Sequence, residues 1–151
     1  MSILIAATGC ATPEEQTAVP VARLGNSTVG YLSNSGIREK RVLVVRNDAE
    51  WQRAWGTLHA NRKPVPALPA IDFAEKIAVV YALGEQVSGG FSVRIISAAL
   101  SGNNLQLIVE IRRPSPTCIV TSSITAPADV ILLPRSEKTV LVEEVVVESA
   151  C

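Results

Sequence analysis

Asn47-Asp48-Ala49-Glu50-Trp51-Gln52-Arg53-Ala54-Trp55-Gly56-Thr57-Leu58 holds the clearest helical pattern in the chain. Asn47 suits an N-cap, because its side-chain oxygen can accept from a backbone N–H that the helix leaves unpaired, and Glu50 three residues on completes a capping box. Trp51, Ala54, Trp55 and Leu58 then recur at i, i+3, i+4 and i+7, one face of a helical period. Glu50, Gln52, Arg53 and Thr57 fall elsewhere. The spacing predicts one helix docked by a single apolar stripe. Gly56 costs such a helix about 1 kcal/mol against alanine, and close approach to a strand is the expected reason for it.

Moving outward, Pro64, Pro66 and Pro69 forbid helix and predict an extended crossing into Ile71-Asp72-Phe73. Ile77 to Gly84, Phe91 to Leu100, Leu105 to Arg112, Ala128 to Leu133 and Thr139 to Val147 are apolar or alternating, as strands are. Turn-forming clusters separate them: Ser88-Gly89-Gly90, Ser101-Gly102-Asn103-Asn104, Pro114-Ser115-Pro116 and Pro134-Arg135-Ser136. Such short links predict hairpins and antiparallel pairing. Upstream, Thr28 to Ser33 and Lys40 to Arg46 read as two more strands joined through Asn34-Ser35-Gly36. The expectation is one α+β domain over residues 28–151, mainly antiparallel, with about seven strands in a sandwich or open barrel against one helix. Residues 11–27 are rich in Ala, Thr, Pro, Glu and Gln without a sustained period and read as a flexible linker.

Composition narrows the function classes. The 151 residues are 48% hydrophobic and carry a formal net charge of +0. Balanced charge argues against nucleic acid, which needs a concentrated basic surface. No apolar run reaches the roughly 18 residues that a membrane-crossing helix requires.

Ile3-Leu4-Ile5-Ala6-Ala7 runs into Ala7-Thr8-Gly9-Cys10, which resembles a bacterial lipobox. The resemblance implies a leader over residues 1–10, lipidation of Cys10 and an extracytoplasmic, membrane-anchored protein, periplasmic or on the cell surface. Read without it, the segment is an apolar terminus with an incidental cysteine. With Cys10 lipidated, Cys118 and Cys151 remain as an even pair suited to a disulfide in an oxidising compartment; two unrelated buried thiols are the alternative.

The middle of the chain resembles the C-terminal domain of the PrcB family. The residues that carry this are Glu50-Trp51 with Trp55, Pro69-Ala70-Ile71-Asp72-Phe73, Gly84, Ser88-Gly89-Gly90-Phe91 and Pro114-Ser115-Pro116-Thr117-Cys118, in that order, within about residues 42–135. The resemblance implies an accessory protein outside the cytoplasm, often lipid-anchored, whose partner is another protein; the family takes its name from a subunit of a surface protease complex.

Candidate functional residues follow from the same motifs. Ser88, Gly89, Gly90 and Phe91 could expose backbone amides to an anion or a partner, or simply form a turn that needs positive φ. Asp72 reads as a partner-facing carboxylate or a turn cap. Trp51 and Trp55 read as core, or as an exposed aromatic anchor. His59 is the single histidine, and no G-x-S-x-G elbow accompanies it; no catalytic residue, metal site or cofactor is expected. Arg112-Arg113 reads as a solvated strand end. The reading is a non-catalytic, lipid-anchored envelope protein that binds, assembles or stabilises a partner, with sheet edges available for strand addition. The alternatives are a protease inhibitor acting through Val87 to Phe91 or the 61–70 segment, and a carboxylate-dependent hydrolase.

Overall fold

The computed structural model describes residues 13–24 and 31–151. The leader, Cys10, the first two residues of the linker, its last three, and the start of the first expected strand lie outside the described residues.

The elements in chain order are β1 (Thr17–Val19), β2 (Ala22–Arg23), β3 (Tyr31–Leu32), β4 (Arg41–Val45), α1 (Asp48–Leu58), β5 (Lys76–Ala82), β6 (Ser92–Ser101), β7 (Asn104–Pro114), β8 (Ala128–Pro134) and β9 (Thr139–Ser149). They build two sheets. One has four strands in the order β1-β6-β7-β9; the other has five, β2-β8-β5-β4 with β3 also on β8. The barrel alternative is not realised: the sheets stack as layers, and α1 covers the far face of the five-stranded one. Among the described residues no helix is long and apolar enough to cross a membrane.

The central strands show why this sequence makes three layers. β5 is buried on both faces, which suits a strand with a layer on either side. Ala78, Val80 and Ala82 face the helix together with Ala128, Val130 and Leu132 of β8. Ile77, Val79 and Tyr81, with Ile131 and Leu133, face the other sheet. The small side chains on the helix side leave room for Trp51 and Trp55, both buried. β6 and β7 bury one face only, through Val93, Ile95, Leu105, Leu107, Val109 and Ile111, as their alternating sequence requires.

The helix forms as its sequence predicts, with one difference. Asn47 Oδ1 accepts from the Glu50 N–H at 2.9 Å, but the Glu50 carboxylate accepts from the Arg46 N–H at 2.8 Å, one residue before the cap. The indole N–H of Trp51 donates to the Pro69 carbonyl at 2.9 Å, and that of Trp55 to the Pro66 carbonyl at 2.8 Å. The proline-rich crossing is therefore fastened to the helix it follows.

Three expectations are corrected. First, the linker is not flexible coil throughout: Thr17–Val19 pairs with β6 and Ala22–Arg23 with β8. Strands of two or three residues are too short to show a period, and Pro20 lies where the chain leaves one sheet for the other. These two additions raise the strands from the expected seven to nine among the described residues. Second, β9 runs parallel to β7, from Asn104↔Thr139 to Pro114↔Ser149. β8 lies between them in sequence but belongs to the other sheet, so the chain returns to the first sheet at the end where β7 began. Third, the close approach belongs to Gly36 and not to Gly56. A Cβ on Gly56 would meet nothing within 4 Å, whereas one on Gly36 would collide with the Thr57 carbonyl oxygen, where the Gly36 N–H donates to Leu58 O at 3.1 Å.

Two polar links join the sheets. On one side the fully buried Asp129 carboxylate accepts from the Arg23 guanidinium, the Ile95 N–H at 2.8 Å and the Val130 N–H at 3.0 Å. Arg23 also donates to the Ile95 carbonyl at 2.9 Å, at a register shift in β6. On the other side the Tyr81 hydroxyl donates to Glu144 at 2.6 Å, and Lys40 Nζ reaches the same carboxylate at 3.0 Å.

Candidate functional site

β5 delivers the chain to one end of the sandwich, where the segment after Gly84 meets the loop between β7 and β8. Gln86 and Thr125 exchange backbone hydrogen bonds at 2.7 and 3.1 Å, and the Gly89 N–H donates to Thr121 O at 3.0 Å. The Thr125 hydroxyl donates to the Ser88 carbonyl at 2.8 Å. Gly90 has φ +90°, and a Cβ there would lie 3.1 Å from Pro114 Cβ and 3.3 Å from Val120 Cγ1. Only glycine meets both requirements without strain.

Ser88, Gly89 and Gly90 thus form a seam against the second loop. The Gly89 N–H is already engaged, and the Ser88 hydroxyl bonds the Gly89 carbonyl at 3.0 Å, so these two groups are not aimed at an anion. Phe91 is half-buried and packs on the inter-sheet core. Asp72 is not with them. It lies before the opposite end of β5, where its carboxylate accepts from the Ala74 N–H at 3.0 Å and its carbonyl from Lys76, which is turn-capping work.

The second loop is fastened to the end of β9. Cys118 and Cys151 form a disulfide with Cα atoms 5.4 Å apart, and the Ser115 N–H donates to Ser149 O at 3.2 Å. The paired loops present Val87 at 87% exposure, Ile119 fully exposed, and Val120 and Ile124 exposed. Exposed apolar side chains on two fastened loops are the kind of surface that a partner covers. Sequence reasoning singled out the glycines beside it but missed Ile119, Val120 and Ile124. The available signal was a run of aliphatic residues inside a Pro- and Thr-rich loop, where solvated residues are the rule.

The chemical alternatives find less support. His59 is buried against Trp55, ring centroids 4.1 Å apart, and neither ring nitrogen has a hydrogen-bond partner among the described residues. Burial, with Arg62 adding to it, holds its pKa below the ordinary histidine value. No cluster of three or more His, Cys, Asp or Glu among the described residues is placed to hold a metal. A cleft of about 480 Å³ is lined by two acids, Asp129 and Glu110, with Arg23, Ser92, Arg94 and Arg112. Asp129 is bound to Arg23, and Glu110 accepts from Arg112 at 2.6 Å, so each carboxylate has a cationic partner. Burial pushes the Asp129 carboxyl up, while Arg23 and the Ile95 and Val130 N–H groups oppose it. At the far edge, burial first and then Glu144 push the Tyr81 hydroxyl well above the ordinary range; the Tyr81 bond and Lys40 hold Glu144 down.

Residues 77–134 match the family model described as PrcB C-terminal. The matched segment runs from β5 to the end of β8 and contains both loops of the apolar end. The resemblance read from the sequence began earlier, near residue 42, so the helix motifs lie outside the match. No curated protein and no solved structure gives a significant match to the chain.

Proposed function

We propose that this chain is a non-catalytic accessory module outside the cytoplasm, held to a membrane by lipid on Cys10, that binds and stabilises a partner protein, specifically a protease or a component of its complex. The observation that carries the reading is the apolar end formed by Val87, Ile119, Val120 and Ile124 within the PrcB-matched segment. The disulfide of Cys118 with Cys151 supports the compartment, and the lipobox resemblance supports the anchor. The test combines the intact mass of the native protein with cross-linked recovery from native envelopes. The expected result is an acylated Cys10 and a co-recovered protease or protease subunit. Val87→Asp with Ile119→Asp, both exposed and so compatible with folding, should abolish that recovery. An unacylated protein, or a double variant that recovers the same partner as the parent, would overturn the corresponding half.

One observation favours a second reading. The exposed Val87 sits between two backbone anchors, Gln86 to Thr125 and Gly89 to Thr121, as a loop presented to a protease cleft would be. Titrating secreted proteases with the full chain decides it: stoichiometric loss of activity, relieved by Val87→Asp, supports inhibition, and unchanged activity ends the idea.

A further inference from the structure

β9 is eleven residues long and lies at the end of the four-stranded sheet, with β7 on one side and no strand on the other among the described residues. The register fixes which backbone groups are open. The Thr139 N–H donates to Asn103 O, and Ser149 O accepts from the Ser115 N–H. In a parallel ladder a residue that bonds its neighbour does so through both its N–H and its C=O, and alternate residues turn both groups away. The odd-numbered residues of β9 therefore face β7. Val140, Val142, Glu144, Val146 and Glu148 direct their backbone N–H and C=O to the open edge.

The side chains give this edge a chemistry. β9 holds no lysine or arginine; Glu144 and Glu148 share the inward face with Val146 and pair with Lys40 and Arg113, which leaves Glu143 as the strand's outward-facing acid. Val146 shares the inward face with Ile111, and Val42 of β4 shares the inward face with Tyr81. Both valines are nevertheless exposed, so the sandwich is incompletely covered along this side, where Lys40 reaches across to Glu144. Antiparallel pairing of β9 with a second copy centred on Glu143 would set the two Glu143 carboxylates directly opposite each other, which opposes self-association in that register.

We propose that β9 accepts an extended segment of a partner protein by strand addition, the segment placing aliphatic residues on the inward face, over Val146 and Val42, and a lysine or arginine on the outward face, where it meets Glu143. This inference rests on the partner-binding reading above and names the edge through which part of that contact is made. Backbone hydrogen bonds supply the affinity in such a mode and the alternate side chains supply the choice of partner.

The test uses the full chain and a labelled, end-capped eight-residue peptide of alternating valine and lysine. Val146→Pro removes an open-edge N–H without breaking a ladder bond, so the fold should survive; Val147→Pro breaks a ladder bond and should lower stability. Expected are saturable binding, slowed amide exchange confined to the even residues from Val140 to Glu148, and a loss of about tenfold or more in affinity for Val146→Pro at unchanged thermal midpoint. A valine–glutamate peptide, or one N-methylated on its pairing edge, should bind no better than that variant. Equal binding by parent and Val146→Pro, protection centred on the 115–127 loop, or a concentration-dependent dimer that the peptide disrupts would each overturn the proposal. The native partner separates the two readings: a partner lost on Val87→Asp with Ile119→Asp but kept on Val146→Pro would sink this inference and leave the first intact.

Discussion

The two polar links between the sheets differ in nearly every respect. Arg23 with Asp129 joins a part-buried guanidinium to a fully buried carboxylate, is made from the second strand and the eighth, and is satisfied by both backbone groups of Ile95. On the other side Glu144 of the edge strand β9 pairs with half-exposed Lys40 and accepts from the hydroxyl of the buried Tyr81. The first has a cleft of about 480 Å³ beside it but leaves its buried carboxylate fully paired, and is the closed side in that sense; the second leaves a strand edge open beside it. A buried charge must be completely paired or the fold suffers, whereas an exposed one can be rearranged at low cost. The closed side is therefore expected to be structural and the open side adaptable.

The strongest way to break that contrast is Arg23→Ala, which strands the Asp129 carboxylate in the core. A loss of about 3–5 kcal/mol is expected in urea unfolding, with replacement of both residues by apolar ones recovering much of it. A loss below 1 kcal/mol would show that the closed side is no more demanding than the open one. Next in size, Cys118→Ser with Cys151→Ser should cost about 4 kcal/mol on the chain-entropy account of a loop of this length; comparing unfolding with and without reductant checks it. Gly56→Ala, which meets nothing, should stabilise by about 1 kcal/mol and calibrates the scale on a position that neither link touches. Glu144→Gln should change stability by less than about 1 kcal/mol at neutral pH. Its mark is on the pH profile. Glu144 is held below its ordinary value of 4.5 in the fold, so its contribution is present above that pH and is lost as pH falls through the lower folded value. The variant should flatten that limb in an acid titration of the thermal midpoint. His59 gives a separate acid limb: its lowered value means the unfolded chain takes up more protons below about pH 6.5. Stability should decline from there as pH drops, and His59→Leu should remove the decline.

The contrast also marks where the sequence was legible. Local order was readable: the cap at Asn47, the stripe from Trp51 to Leu58, and the alternation in β6 and β7 each follow from a short period. The strand count was nearly so, short only of the two pieces that no period can reveal. Pairing was not readable at distance. Nothing near Arg23 announces Asp129, 106 residues away, and the turn after β8 does not say which sheet the next strand joins. That is why the mainly antiparallel fold was foreseen and the one parallel pairing, β7 with β9, was not. At the candidate site the glycines were visible because positive φ restricts residue choice, while Ile119 and Ile124 were not, because exposure depends on what else packs nearby. Asp72 was grouped with the site for its place in a motif, and its own turn accounts for it.

The fastening of Trp51 and Trp55 to the Pro69 and Pro66 carbonyls has an optical consequence. These are the only two indoles in the chain, and they sit together in one layer, so ultraviolet emission reports a single event: the helix and its proline strap lifting from the five-stranded sheet. A ligand arriving at the disulfide-linked loops or along the last strand should leave that emission silent, and a spectral shift on complex formation would mean that the helix layer moves as well.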